Sequence, residues 1–341
     1  MARSTGKRIA RAIAIAVVLI LGIGAVVAYE FRTEIRDHFT AVGFQPTSRV
    51  EGIQTSIALT ASGDRIFLAS RPTIGDREQF STWCADVDHS EEGHVLGCFA
   101  QNRIRLFDVT DERLSGVVEV TAAHELLHAT YSRLSASERE QLSDELNDAY
   151  EALIADDPML EERMSVYEQL STTAFANELH SVLGTEVRDL PKALETHYDQ
   201  WFTDRARIVD WYDSYHSVFT QLTEQANALS AELESLRTDI EQRSAEYDAA
   251  VRQFNADAAE FKARNERFEF DGQPELFNQL RSELLARQDA LSQTLAGLQA
   301  DTDRFNELRE QLIELNDVSI QLNDVLDSTL PTPTEEPAPS G

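Results

Sequence analysis

Residues 121–131 read TAAHELLHATY, and this is the stretch whose residue types and spacing best suit chemistry. Two histidines stand four apart, so on a helix His124 and His128 share one face and can hold a single ion from successive turns. Neutral imidazole suits Zn2+, whose filled d-shell lets three protein ligands and a water set the geometry. Glu125 falls about 100° round the helix from His124 and off the ligand face. There it is placed to take a proton from a zinc-activated water near neutral pH. Thr121, Ala122, Ala123, Leu126, Leu127 and Ala129 are all uncharged, which allows the helix to be buried behind the ion. Random composition produces H-E-x-x-H in on the order of one chain in a hundred of this size. The bland alternative is a core helix with two hydrogen-bonded histidines. It must place two imidazoles and a carboxylate in an otherwise apolar stripe, which burial disfavours.

A third ligand is the discriminating feature. Downstream, TTAFANELHSVLGTEV (172–187) contains Asn177-Glu178-Leu179-His180-Ser181. Glu178 and His180 are rivals: about 200° apart on a helix, they do not both reach one ion from a single segment. The pair HELLH and NELHS resembles the gluzincin zinc metallopeptidases, in which a glutamate on a second helix completes the site. By that resemblance His124, His128 and Glu178 are the metal ligands, Glu125 is the catalytic base, and Zn2+ is the cofactor. His180 then stands behind the ion or at the surface. A wider stretch over about 96–206 is also similar to a poorly characterised group of bacterial membrane-anchored proteins assigned as metallopeptidases. The fifty residues between His128 and Glu178 exceed the usual gap in the better-known gluzincins.

Proteases of this type need a donor for the tetrahedral oxyanion. His197 and Tyr198 in ETHYDQW are candidates by their position after the second motif, with a plain aromatic core helix as the alternative. RIRLFDV at 103–109 would, by the same resemblance, be an edge strand on which an extended substrate pairs. An ordinary core strand is the other reading.

The elements that position these residues show a change of character along the chain. TSIALT (55–60), RIFLAS (65–70) and RIRLFDV are short, rich in β-branched and aromatic residues, and read as strands. From Arg113 on, helical patterns take over. Ser135 and Glu138 form a capping-box signature, and Asp157-Pro158 breaks the helix that follows. The expectation is an α+β, zincin-like and mostly helical metallopeptidase domain over 45–210. From Phe219 apolar residues recur at 3-4 spacing on both sides of EFDGQPE, a seam that predicts an antiparallel coiled-coil hairpin over 211–328 with its turn near 269–275. Folding the chain so that facing numbers sum to 545 pairs Phe268 with Phe277, Phe261 with Leu284 and Phe254 with Leu291. Residues 329–341 are Pro-rich and expected to be disordered.

Charge and composition bound the function class. The chain of 341 residues carries a formal net charge of −30, which repels phosphate backbones and makes nucleic acid an unsuitable partner. Residues 1–30 are locally basic, with Arg3, Lys7, Arg8 and Arg11 ahead of an uncharged stretch from Ala12 to Tyr29. Its length approaches the ~20 residues of a membrane-crossing helix and exceeds a signal-peptide core. The expected arrangement is a retained single-pass anchor with the N-terminus cytoplasmic and the bulk of the chain outside, joined by a linker at 31–44. Cleavage at the small residues Val26 and Ala28 is the alternative. Outside the cytoplasm the lone pair Cys84 and Cys98 is expected to form a disulfide. His89 and His94 lie in the acidic loop between them, which reads as solvated rather than as a second cation site. Together these expectations describe a membrane-anchored extracytoplasmic zinc metallopeptidase acting on a peptide or protein. The alternative is a non-catalytic cell-envelope protein working through its hairpin, by a protein partner or self-association, with a structural or inactive zinc site.

Overall fold

Threonine caps decide the first surprise of the fold. The side chain of Thr47 accepts from the backbone N–H of Val50, and that of Thr60 from Gly63, satisfying orphan amides at two helix starts. Ser48–Ser56 and Ala61–Ala69 are accordingly helices. In this computed structural model, which describes residues 29, 31–85 and 95–328, the architecture is mostly helical with one small sheet. TSIALT is therefore the end of one helix and its exit, and RIFLAS lies within the next, not in strands. The reason is packing: Ile53 and Ile57, four apart, and Ile66 and Phe67 are buried on helical faces, which overrides β propensity.

We label the elements in chain order. Helices α1 (Arg32–Gly43), α2 (Ser48–Ser56) and α3 (Ala61–Ala69) precede β1 (Thr73–Gly75) and α4 (Arg77–Cys84). Strands β2 (Gly97–Ala100) and β3 (Arg103–Phe107) lead into α5 (Val117–Tyr131). Then come α6 (Ala136–Leu153), α7 (Pro158–Ser165), α8 (Thr172–Glu186), α9 (Lys192–Tyr198) and the long α10 (Arg205–Glu266) and α11 (Pro274–Leu326). Residues 31–44, expected as a linker, are largely α1. It is held by Asp37, which is buried and accepts from Arg133 Nε at 2.5 Å.

The sheet order is β1-β3-β2, with β1 parallel and β2 antiparallel to β3. Gln101 and Asn102, with φ of 52° and 60°, form the two-residue turn between β2 and β3, in the left-handed conformations that match hairpin twist. RIRLF is thus the central strand, and among the described residues the edge beside α5 belongs to β2. Cys84, at the end of α4, is disulfide-bonded to Cys98 in β2. The expected anchor before Tyr29, the acidic loop 86–94 and the tail 329–341 lie outside the described residues. Among the described residues no helix is long and apolar enough to cross a membrane.

The chain divides into two compact units, Met1–Val218 with Asn323–Gly341, and Phe219–Leu322. In the second unit α10 and α11 run antiparallel, as the ion pairs Arg243–Asp301 and Asp257–Arg287 require. The expected facing of Phe268 with Phe277 does not occur. Phe268 sits in the turn with φ of 59° and is exposed, while Phe277 meets Phe261 and Phe270 at ring separations of 5.2 and 5.6 Å. The turn consumes residues 267–273, so the pairing next to it closes through Phe270 instead.

Candidate metal centre

Helix α5 starts at Gly116, whose φ of 96° lies in the left-handed region and whose missing Cβ would sit 2.7 Å from Trp211. A larger residue fits neither requirement. Ala122, Ala123, Leu126 and Leu127 are buried to 0% exposure, so the helix is fixed by its apolar side while His124 and His128 look the other way. Helix α8 packs on α5, and its start is capped by the Ser171 side chain accepting from Ala174 N–H. Near its end, Gly184 gives room to Leu127 and Tyr198, which lets the two helices approach closely.

This packing brings residues fifty apart in sequence together. Glu178 Oε2 lies 3.7 Å from His124 Nε2 and 3.4 Å from His128 Nε2. That oxygen is buried and accepts no hydrogen bond of normal geometry. Ligands about 2.0–2.1 Å from a tetrahedral ion are about 3.3 Å from one another, so the spacing suits an ion between the three side chains better than a direct bond. His124, Glu125 and His128 also offer ligand atoms all within 4.8 Å of one another. Glu178 Oε2 thus lies within 3.7 Å of both imidazole Nε2 atoms, and Glu125 offers a second carboxylate to the same pair. Glu125, 5% exposed, sits against β2, where a Cβ on Gly97 would come within 2.6 Å of Glu125 Oε1.

Ser181 completes the His128 environment. Its Oγ is 3.2 Å from His128 Nδ1 and lies 3.3 Å from the Asn177 carbonyl, to which it donates. The hydroxyl's proton being directed to that carbonyl, its lone pair receives Nδ1–H, and the Nε2 of His128 is left to face Glu178. Ser181 was visible in N-E-x-x-S only as a letter. Its i+3 spacing from Glu178 was the signal that both share a helix face. Gly97 carried no comparable signal.

The electrostatics place one proton. For His128 burial pushes the pKa down, but the charges of Glu178 and then Glu125, with the polar side chains of Glu178 and Asn177 beside it, raise it to about 10. For His124 burial prevails and the pKa falls, despite the opposing pull of Glu178. Burial pushes Glu178 up, yet His128 and His124 hold it well below the usual carboxylate range. The metal-free site is therefore an ion pair of protonated His128 with Glu178, and a cation entering it displaces that proton.

The remaining candidates separate clearly. His180 is fully buried, lies within electrostatic reach of His128 and His124, and its Nε2 is 2.9 Å from His197 Nε2. Burial, with His197 nearby, drives the His180 pKa well down. His197 is half-buried and stays reachable from solvent. Tyr198 is 0% exposed and its hydroxyl donates to the His180 carbonyl at 2.7 Å, which removes it from the oxyanion donors and makes it a support for α8. Arg205, at the root of α10, donates to the Val187 and Arg188 carbonyls at 2.6 and 2.7 Å and so closes the C-terminal end of α8. No protein-family model, curated protein or solved structure matches the chain.

Proposed function

We propose that the chain is a membrane-anchored extracytoplasmic zinc metallopeptidase that hydrolyses peptide bonds. The observation that supports this reading most directly is the convergence of Glu178 Oε2 on the Nε2 atoms of His124 and His128, with Glu125 on the adjoining face. Zinc held there supplies Lewis-acid polarisation of a peptide carbonyl and acidifies water. Glu125 takes the proton of the attacking water and returns it to the leaving amine. His197, with its ring oriented by His180, donates to the developing oxyanion. The edge of β2, pressed on Glu125 at Gly97, pairs with an extended peptide through main-chain hydrogen bonds. The α10–α11 hairpin acts as a coiled-coil spacer or recognition arm.

One observation favours a second reading. Helices of 62 and 53 residues are a large investment in an extended surface, which suits an envelope interaction protein with a structural ion. The deciding experiment is elemental analysis of the purified chain, wild type beside Glu178→Ala, His180→Ala and Glu125→Gln, with hydrolysis of a peptide library in parallel. The proposal expects one zinc per chain, lost with Glu178→Ala and kept in the other two, and hydrolysis abolished by Glu125→Gln. Zinc without any hydrolysis moves the case to the interaction protein, and a folded zinc-free wild type sinks the peptidase and leaves the hairpin as the working part.

A further inference from the structure

Helix α1 carries a stripe of large apolar side chains on the side opposite its packed face. Phe31, just ahead of the helix, and Ile35, Phe39 and Val42 within it recur at steps of four, four and three. At about 100° per residue they fall within roughly 80° of arc. They are 54%, 44%, 72% and 74% exposed. The opposite side packs on α3 and buries Asp37, whose carboxylate meets Arg133. Arg32 and Arg36 border one edge of the stripe, and His38 and Glu34 the other. Single exposed apolar residues are ordinary, but four in one contiguous stripe mark a surface that something covers.

Two observations identify the covering surface. The uncharged sequence Ala12–Tyr29 ends directly before the stripe, and it is of a length suited to crossing a bilayer. Inserted, it places the start of α1 at the membrane surface. One edge is also cationic: in a chain of net charge −30, Arg32 and Arg36 are exposed beside the stripe, Arg36 59% so although it reaches Asp37 at 3.3 Å. They suit lipid phosphates, while Glu34 lies on the opposite edge.

We propose that α1 lies in the headgroup layer of a lipid bilayer, its apolar stripe seated about 5–10 Å deep and Arg32 and Arg36 on the lipid phosphates. This rests on the anchor reading of residues 12–29, and it adds a second, lateral contact. Its consequence is orientation. Asp37 on the inner face of α1 holds Arg133, and Arg133 Nη1 donates to the Ala129 carbonyl at the end of α5. A seated α1 therefore fixes the direction in which the candidate metal helix faces relative to the membrane, where a bare anchor would leave the domain free to turn.

The test uses the full chain reconstituted into vesicles of phosphatidylcholine and phosphatidylglycerol, plain or brominated near the glycerol end of the acyl chains. Phe39→Trp puts an indole on the stripe, and Thr40→Trp puts one about 100° round the same helix. The three native tryptophans give a common background. Vesicle flotation is scored first. The expected result is flotation of all variants, loss of most of the added Phe39→Trp fluorescence in brominated vesicles, and little loss for Thr40→Trp. A floating chain with neither indole quenched overturns the α1 contact while leaving the anchor standing. Equal quenching of the two also overturns it, since proximity alone would then suffice. A chain that fails to float overturns both. An unquenched stripe combined with an oligomer dissociated by Phe39→Glu assigns the stripe to a second copy and overturns the lipid contact.

Discussion

Replacing Glu178 by glutamine keeps the shape of the side chain and removes the charge that His128 relies on. In the metal-free chain the His128 pKa stands at about 10 against an ordinary 6.5. A pKa raised in the folded state gives stability that is fully present below pH 6.5 and is lost as the pH climbs through 10. Glu178 is depressed from 4.5, so its contribution is present above that pH and is lost as the pH falls. The pair is thus at full strength between pH 4.5 and 6.5, and the alkaline flank is the convenient one to measure. The whole rise on His128 corresponds to about 5 kcal/mol at 1.36 kcal/mol per tenfold change. Glu125 and Asn177 share in it, and about 2–4 kcal/mol should go with Glu178. For a domain of this size that is a fall in melting midpoint of roughly 5–12 °C between pH 6 and 10. The assay is scanning calorimetry in chelator, wild type against Glu178→Gln. The variant should lose most of the alkaline slope. Zinc should remove it as well, because binding expels the same proton. Equal alkaline slopes in the chelated wild type and the variant would refute the ion pair and the electrostatics built on it.

Ser181→Ala removes the hydroxyl that orients His128 and should weaken zinc binding about 10–100-fold, read by chelator competition; unchanged affinity would show that the ring needs no such partner. Gly97→Ala drives a methyl group into Glu125, so it should keep the zinc and lose peptide hydrolysis by about 100-fold, whereas unchanged turnover would take Glu125 out of the reaction. Asp37→Ala leaves Arg133 buried without its carboxylate, and urea unfolding should show a loss of about 3–5 kcal/mol; a change under 1 kcal/mol would count against the coupling of α1 to α5. Removing the disulfide with Cys84→Ala and Cys98→Ala together opens a loop of 14 residues and should cost about 3 kcal/mol by the same measurement. A neutral outcome would mean that packing around α4 and β2 already holds the strand.

What was legible in the sequence is what depends on neighbours along the chain. The α5 helix and its two histidines on one face follow from 3.6-residue periodicity alone. The Ser135–Glu138 capping box and the Asp157-Pro158 break appear where local hydrogen bonding requires them, at the starts of α6 and α7. The turn between α10 and α11 falls at the Gly272 and Pro274 signals for the same reason. Wherever burial competes with propensity, local reading failed. TSIALT and RIFLAS have strand-like compositions, yet threonine caps and the burial of Ile53, Ile57, Ile66 and Phe67 make the first a helix end and its exit and the second part of a helix. RIRLF is a strand, but its neighbours on both sides, and hence the edge position of β2, are properties of the sheet alone. Local pattern named both Glu178 and His180. Only the packing of α8 on α5 sends one toward the paired histidines and the other toward His197, because which side of a helix meets a partner is set by the partner. Tertiary structure likewise decided what Tyr198, Ser181, Gly97 and Asp37 do. Their roles are contacts with residues far away in the chain, and no local energy term carries that information.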